Sequence, residues 1–150
     1  MRKSYALLWC SILVLGLLAA GCKKDAKPVS ERIAKAWTVE SAKHDNVVVY
    51  TRGGSGNKTD YSGFRLTLTN TNGTKTASLT DVDNKTFNGN WDVEGDTKLI
   101  LKDLTPQPTG SGGTIEFTIS GLGDSKVTLT RLKASPKTGN TINEYTLTNP

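Results

Sequence analysis

Few residues in this chain have types and spacings suited to chemistry, and their neighbours limit each of them. His44 is the sole histidine. It falls in the turn signal Lys43-His44-Asp45-Asn46, and no Gly-x-Ser-x-Gly elbow elsewhere presents a nucleophile for it to activate. Asp81, Asp83 and Asn84 open like a calcium loop, but Lys85 and Thr86 stand where a ligand and a tight-turn glycine belong. Asp92, not a bidentate Glu, closes the motif, so these residues read as an Asp/Asn turn. Asp92 and Glu94 share one strand face and invite a glycosidase reading. Their neighbours Trp91 and Val93 form the apolar face, so both acids are expected in water, where neither gains the raised pKa of a general acid. Gly53-Gly54-Ser55-Gly56 lacks the lysine and the strand-to-helix setting of a phosphate loop and reads as a connector. The expectation is therefore a non-enzymatic protein with no catalytic residue, no metal and no cofactor.

Aromatic residues are the remaining material for a site. Trp37 and Trp91 keep period-two company with apolar neighbours and are assigned to the core. Tyr50 and Tyr61 bracket the glycine-rich loop from Gly53 to Asp60, and they are assigned as an exposed ligand-binding platform.

The first 22 residues carry an address. Arg2 and Lys3 precede an apolar run from Tyr5 to Ala20, which ends at Leu18-Ala19-Ala20-Gly21-Cys22. That is the pattern of a removable secretory signal, and its end resembles a bacterial lipobox. The resemblance implies cleavage after Gly21 and covalent lipid on Cys22, the lipid being the only attached group expected. The division that follows is a signal peptide over 1–21, a lipidated cysteine and polar tether over 22–30, and a domain over 31–150. Lys23-Lys24-Asp25 resembles the export signals of surface lipoproteins, and Lys23 is not the aspartate that retains lipoproteins at an inner membrane. The outer membrane, with the domain facing outward, is the expected location.

Charge and cysteine content agree with export. The whole chain carries +5, but Arg2 and Lys3 leave with the signal, and Lys23, Lys24 and Lys27 against Asp25 hold most of the remainder in the tether. The domain has no basic stripe with interleaved aromatics, which excludes a nucleic-acid partner. Cys10 leaves with the signal, so Cys22 is the last thiol and no disulfide staples the domain. A domain of about 120 residues must then rely on a packed core.

From Trp37 onward the pattern is strand, with apolar residues at period two between clusters of Gly, Asn, Asp and Ser. Ser30 is the expected cap of one short helix through Ala36. Trp37, Val39 and Ser41 form one face of the first strand; Phe64, Leu66 and Leu68, then Phe87, Trp91 and Val93, then Leu99 and Leu101 form later ones. Beyond a longer break over 105–113 come Ile115, Phe117 and Ile119, then Val127 and Leu129, then Tyr145 and Leu147. About eight or nine short strands at this spacing predict an all-β antiparallel up-and-down meander, closed as a barrel or folded as a sandwich. The 21 threonines suit strands solvated on one face. No connection is long enough for a parallel crossover helix.

The order of Ile33-Ala34-Lys35-Ala36-Trp37-Thr38-Val39, Tyr61-Ser62-Gly63-Phe64-Arg65-Leu66-Thr67-Leu68 and Phe87-Asn88-Gly89-Asn90-Trp91-Asp92-Val93 resembles the lipocalin-like lipoproteins of bacteria. The likeness covers most of residues 33–148, with Lys35 where that family places a glycine. It implies a closed or half-open barrel holding a small hydrophobic ligand, with Arg131 covering Trp37 as a structural pair. The competing expectation is a solid-cored envelope lipoprotein that binds a protein or a glycan through its loops.

Overall fold

The computed structural model describes residues 26–149; Cys22 and the signal segment lie outside them. One helical turn, α1 (Val29–Arg32), precedes nine strands: β1 (Ala36–His44), β2 (Val47–Thr51), β3 (Arg65–Thr71), β4 (Thr74–Thr80), β5 (Thr86–Glu94), β6 (Lys98–Thr105), β7 (Ile115–Ser120), β8 (Lys126–Arg131) and β9 (Asn143–Thr148). Every neighbouring pair is antiparallel, and β9 returns to pair with β1. β1 and β3 to β9 thus close an eight-stranded barrel with β2 as an extra strand, in accord with the expected all-β meander.

The turns explain the up-and-down path. Asp45 and Asn46 both take positive φ, as do Asn72 and Gly73, the backbone that matches the twist of two-residue hairpins. α1 is shorter than expected and Ser30 does not cap it: Pro28 holds the N-cap position with no side-chain bond. The chain is taken from the helix early because Ile33 is wholly buried and its carbonyl accepts the indole N–H of Trp37 at 2.8 Å. Arg32 and Lys35 tie the same segment to the carbonyls of Leu122 and Asp124, so the entering chain closes one end of the barrel.

The period-two faces of β3, β6, β7, β8 and β9 bury the residues expected. β1 departs from a single parity. Its pairing with β9 slips between Val39 and Ser41, and after that bulge Ala42, not Ser41, faces inward and is fully buried. A second slip, between Asn88 and Asn90 of β5, lies opposite β6. Trp37, Leu66, Leu79, Trp91, Leu99, Leu101, Val127, Tyr145 and Leu147 fill the interior, each no more than 1 % exposed. A barrel of this strand number is just wide enough to be filled by its own side chains, and these do so.

Candidate functional site

β1 shares one edge between two partners. Its first residues, Ala36 to Thr38, pair with β3, and its last, Ser41 to His44, pair with β2. Between them the sheet opens at Val39 and Glu40, and the chain fills the gap with arginine. The Arg52 backbone N–H donates to Glu40 O at 2.8 Å, while its Nε and Nη2 donate to Val39 O at 3.0 and 2.6 Å and Nη2 also reaches Thr38 Oγ1. On the far side Arg65 Nη1 donates to the carbonyls of Ser62 and Phe64 at 3.0 and 2.7 Å. The result is a groove on the barrel flank of about 410 Å³, lined by Thr38, Val39, Tyr50, Arg52, Ser62 and Arg65.

The charge of this groove is unbalanced. Among the described residues, no carboxylate forms an ion pair with either guanidinium; every ion pair there uses lysine. The acids nearest in sequence are engaged elsewhere, Glu40 with Lys126 at 2.6 Å, Asp45 with the Ile142 N–H at 2.8 Å and Asp60 with the Ser62 N–H at 2.8 Å. Sequence reasoning missed both arginines, because the gap that brings them together depends on which strand takes which half of β1.

Tyr50 and Tyr61 do come together, but not as an exposed platform. They are 6 % and 1 % exposed, their centroids 5.9 Å apart, edge to face. Tyr61 is the hub of a cluster with His44, Phe64 and Tyr145 and plugs the barrel end opposite α1. Burial, reinforced by Tyr145, pushes its phenol far above the ordinary tyrosine range. Tyr145 is pushed up to about 12, chiefly by burial and then by the charge of Asp81. The aromatic pair is thus structural packing, with Tyr50 alone also contributing to the flank groove. The loop between them turns back against β2, as the Lys58 and Thr59 N–H groups both donate to Val49 O.

The expected contact between Trp37 and Arg131 is absent. Trp37 lies at the α1 end with Lys35 Nζ 5.7 Å from its ring centroid. Register carries β1 through β9 to β8, pairing Thr38 with Thr148 and Thr148 with Lys126, so Arg131, five residues on, stands about 17 Å away along the strand. Its Nε donates instead to Lys133 O at 3.3 Å.

The remaining candidates are tied into structure. His44 Nε2 meets the Tyr61 hydroxyl. Asp81 is buried, and Lys137 from the β8–β9 connection reaches Asp81 and Asp83 at 3.4 and 2.9 Å. Asp81 and Asn84 also form the expected turn, with Asn84 N–H donating to Asp81 O. Asp92 is held below the ordinary carboxylate range, first by its 2.7 Å bond from Lys75, the reverse of a general acid's shift. Among the described residues, no three His, Cys, Asp or Glu side chains gather as a metal site.

No protein-family model matches the chain, and no curated protein matches it. Among solved structures it is similar to a lipocalin-like protein from Bacteroides uniformis, at 15 % identity and a TM-score of 0.46, over 79 % of this chain and 99 % of that one.

Proposed function

We propose that this chain is a lipid-anchored envelope protein whose barrel binds a ligand without transforming it, and that the ligand docks on the barrel flank. The observation that carries this reading is the contrast between two spaces: the interior is occupied by Trp37, Trp91, Tyr145 and their aliphatic neighbours, while the flank groove holds about 410 Å³ of open volume. Volumes of that order suit small-molecule sites. The filled interior favours the solid-cored alternative over a hydrophobic ligand inside the barrel.

The anchor in this proposal is Cys22. Residues 26–28 lead into the end closed by α1, so a lipid at Cys22 would turn that end toward the bilayer and leave the groove accessible on the side. An outer-membrane location with the domain outward follows from the Lys23-Lys24-Asp25 cluster.

Native mass spectrometry of the domain from residue 26, purified without detergent from its own host, tests the binding claim. A bound small molecule that is lost when Ser62→Trp fills the groove is expected. A molecule retained by Ser62→Trp and lost on widening or filling the interior at Leu101 would overturn the flank assignment. For the anchor, Cys22→Ala is expected to abolish labelling by a palmitate analogue; unchanged labelling would refute it.

A further inference from the structure

The donor chemistry of the groove narrows what it takes, given the proposal above that the groove is the binding site. A guanidinium carries five N–H donors. Arg52 spends Nε and Nη2 on Val39 O and Thr38 Oγ1, and Arg65 spends Nη1 on two carbonyls. Among the described residues Arg52 Nη1 and Arg65 Nε and Nη2 have no acceptor, so each arginine is fixed by backbone while keeping donors unspent. Fixing a guanidinium beforehand lowers the ordering cost of binding. Thr38 and Ser62 border the same space, and Thr38 Oγ1 already serves as an acceptor for Arg52.

We propose that the flank groove binds the oxyanion of a hydroxylated ligand of about monosaccharide size, a carboxylate or a phosphate held between Arg52 and Arg65. Two planar donor sets in the lining of one groove suit a group with several acceptor oxygens, and fixed guanidiniums are the side chains that recognise such groups by geometry as well as by charge. Lysines pair with the acids elsewhere on the surface, whereas these two arginines are left with backbone and hydroxyl partners alone. A neutral ligand would leave that imbalance in place; an oxyanion removes it.

The test titrates the full chain, purified in a neutral detergent, with glucuronate, glucose 6-phosphate and glucose by isothermal calorimetry. Binding of glucuronate, of glucose 6-phosphate or of both is expected, with glucose silent. Glucuronate alone identifies a carboxylate site and the phosphate ester alone a phosphate site. Affinity is expected to fall as ionic strength rises from about 0.05 to 0.5 M. Arg65→Gln is expected to weaken binding about tenfold or more, while Lys133→Gln, which removes the same charge far from the groove, leaves it unchanged. Arg52→Lys keeps the charge and loses the fork, so a comparable loss there with an unchanged melting temperature assigns geometry to the recognition. Equal binding of all three sugars, abolished by Ser62→Trp yet untouched by Arg65→Gln, would overturn oxyanion recognition and leave the groove reading standing. Binding that survives Ser62→Trp would overturn both, and silence of both charged sugars up to about 10 mM would overturn the oxyanion proposal.

Discussion

His44 Nε2 stands 2.7 Å from the hydroxyl of Tyr61, which joins the last residue of β1 to the aromatic plug at the barrel end. Burial keeps the phenol protonated, and the direction of the bond follows the imidazole tautomer. Protonating His44 leaves its ring with donors only. Partial burial holds its pKa below the ordinary 6.5 despite the opposing charge of Asp45.

A pH dependence follows from that sign. The unfolded state takes up the proton first as pH falls, so the stabilisation from neutral His44 is complete above pH 6.5 and is lost as pH drops through the lower folded value. The melting temperature is expected to decline between about pH 7 and pH 5, before the carboxylates begin to titrate. His44→Gln is expected to flatten that decline. An equal slope in the variant would separate the contact from the pH response.

The strand order is legible because the strands from β3 onward bury alternate residues, save where β6 changes parity between Leu101 and Leu104, and each hairpin carries its turn residues, as at Asn72-Gly73. What escaped the sequence were consequences of long-range register. Period two points Ser41 inward, and the bulge after Val39 breaks that period. Tyr50 and Tyr61 read as exposed in the sequence because the glycine-rich loop between them gives no sign that Tyr61 packs on Tyr145 and Tyr50 on Tyr61. Arg52 and Arg65 lie thirteen positions apart and become neighbours only because β1 divides its edge between β2 and β3. Lys137 was equally hidden: nothing local in its loop points to Asp81.

Lys137 ties the β8–β9 connection to the β4–β5 turn. Its side chain is 12 % exposed and that of Asp81 4 %, and its Nζ lies 4.4 Å from the Phe87 ring centroid. Removing the cation leaves a buried carboxylate without its partner, so Lys137→Met is expected to cost about 3 kcal/mol. Lys137→Met with Asp81→Asn should recover part of the loss. Urea denaturation of the four proteins in the cycle measures it, and additive losses would show that the two groups do not depend on each other.

Trp37 and Arg131 sit at opposite barrel ends, so their substitutions should be independent. Trp37→Ala removes a fully buried indole and its bond to Ile33 O, at an expected cost of about 3 to 5 kcal/mol. The double variant with Arg131→Ala is expected to equal the sum of the singles within about 0.5 kcal/mol. A coupling well beyond that, from chemical denaturation, would require the barrel to close in a different register.

Gly89 sets the backbone crossing of β5 and β6. The pairing slips there, with Asn88 opposite Thr105 and Asn90 opposite Lys102, and Asp103 takes a φ of 56° within the intervening bulge. That geometry brings the β6 backbone against the glycine: a Cβ on residue 89 would stand 2.5 Å from Lys102 O and 2.9 Å from Asp103 O. Both are backbone atoms and not the ends of flexible side chains, and the residues that flank them are held on the other edge, Leu101 by pairing with Ile115 and Leu104 by its N–H to Gly113 O. Gly89→Ala is therefore expected to destabilise the barrel by about 1 to 3 kcal/mol through overpacking. Gly56→Ala, where a Cβ meets nothing within 4 Å, supplies the control and is expected to stay within about 0.5 kcal/mol of the parent. Equal denaturation midpoints for the parent and Gly89→Ala would show that the two strands can part without loss, and that the bulge does not fix how β5 and β6 cross.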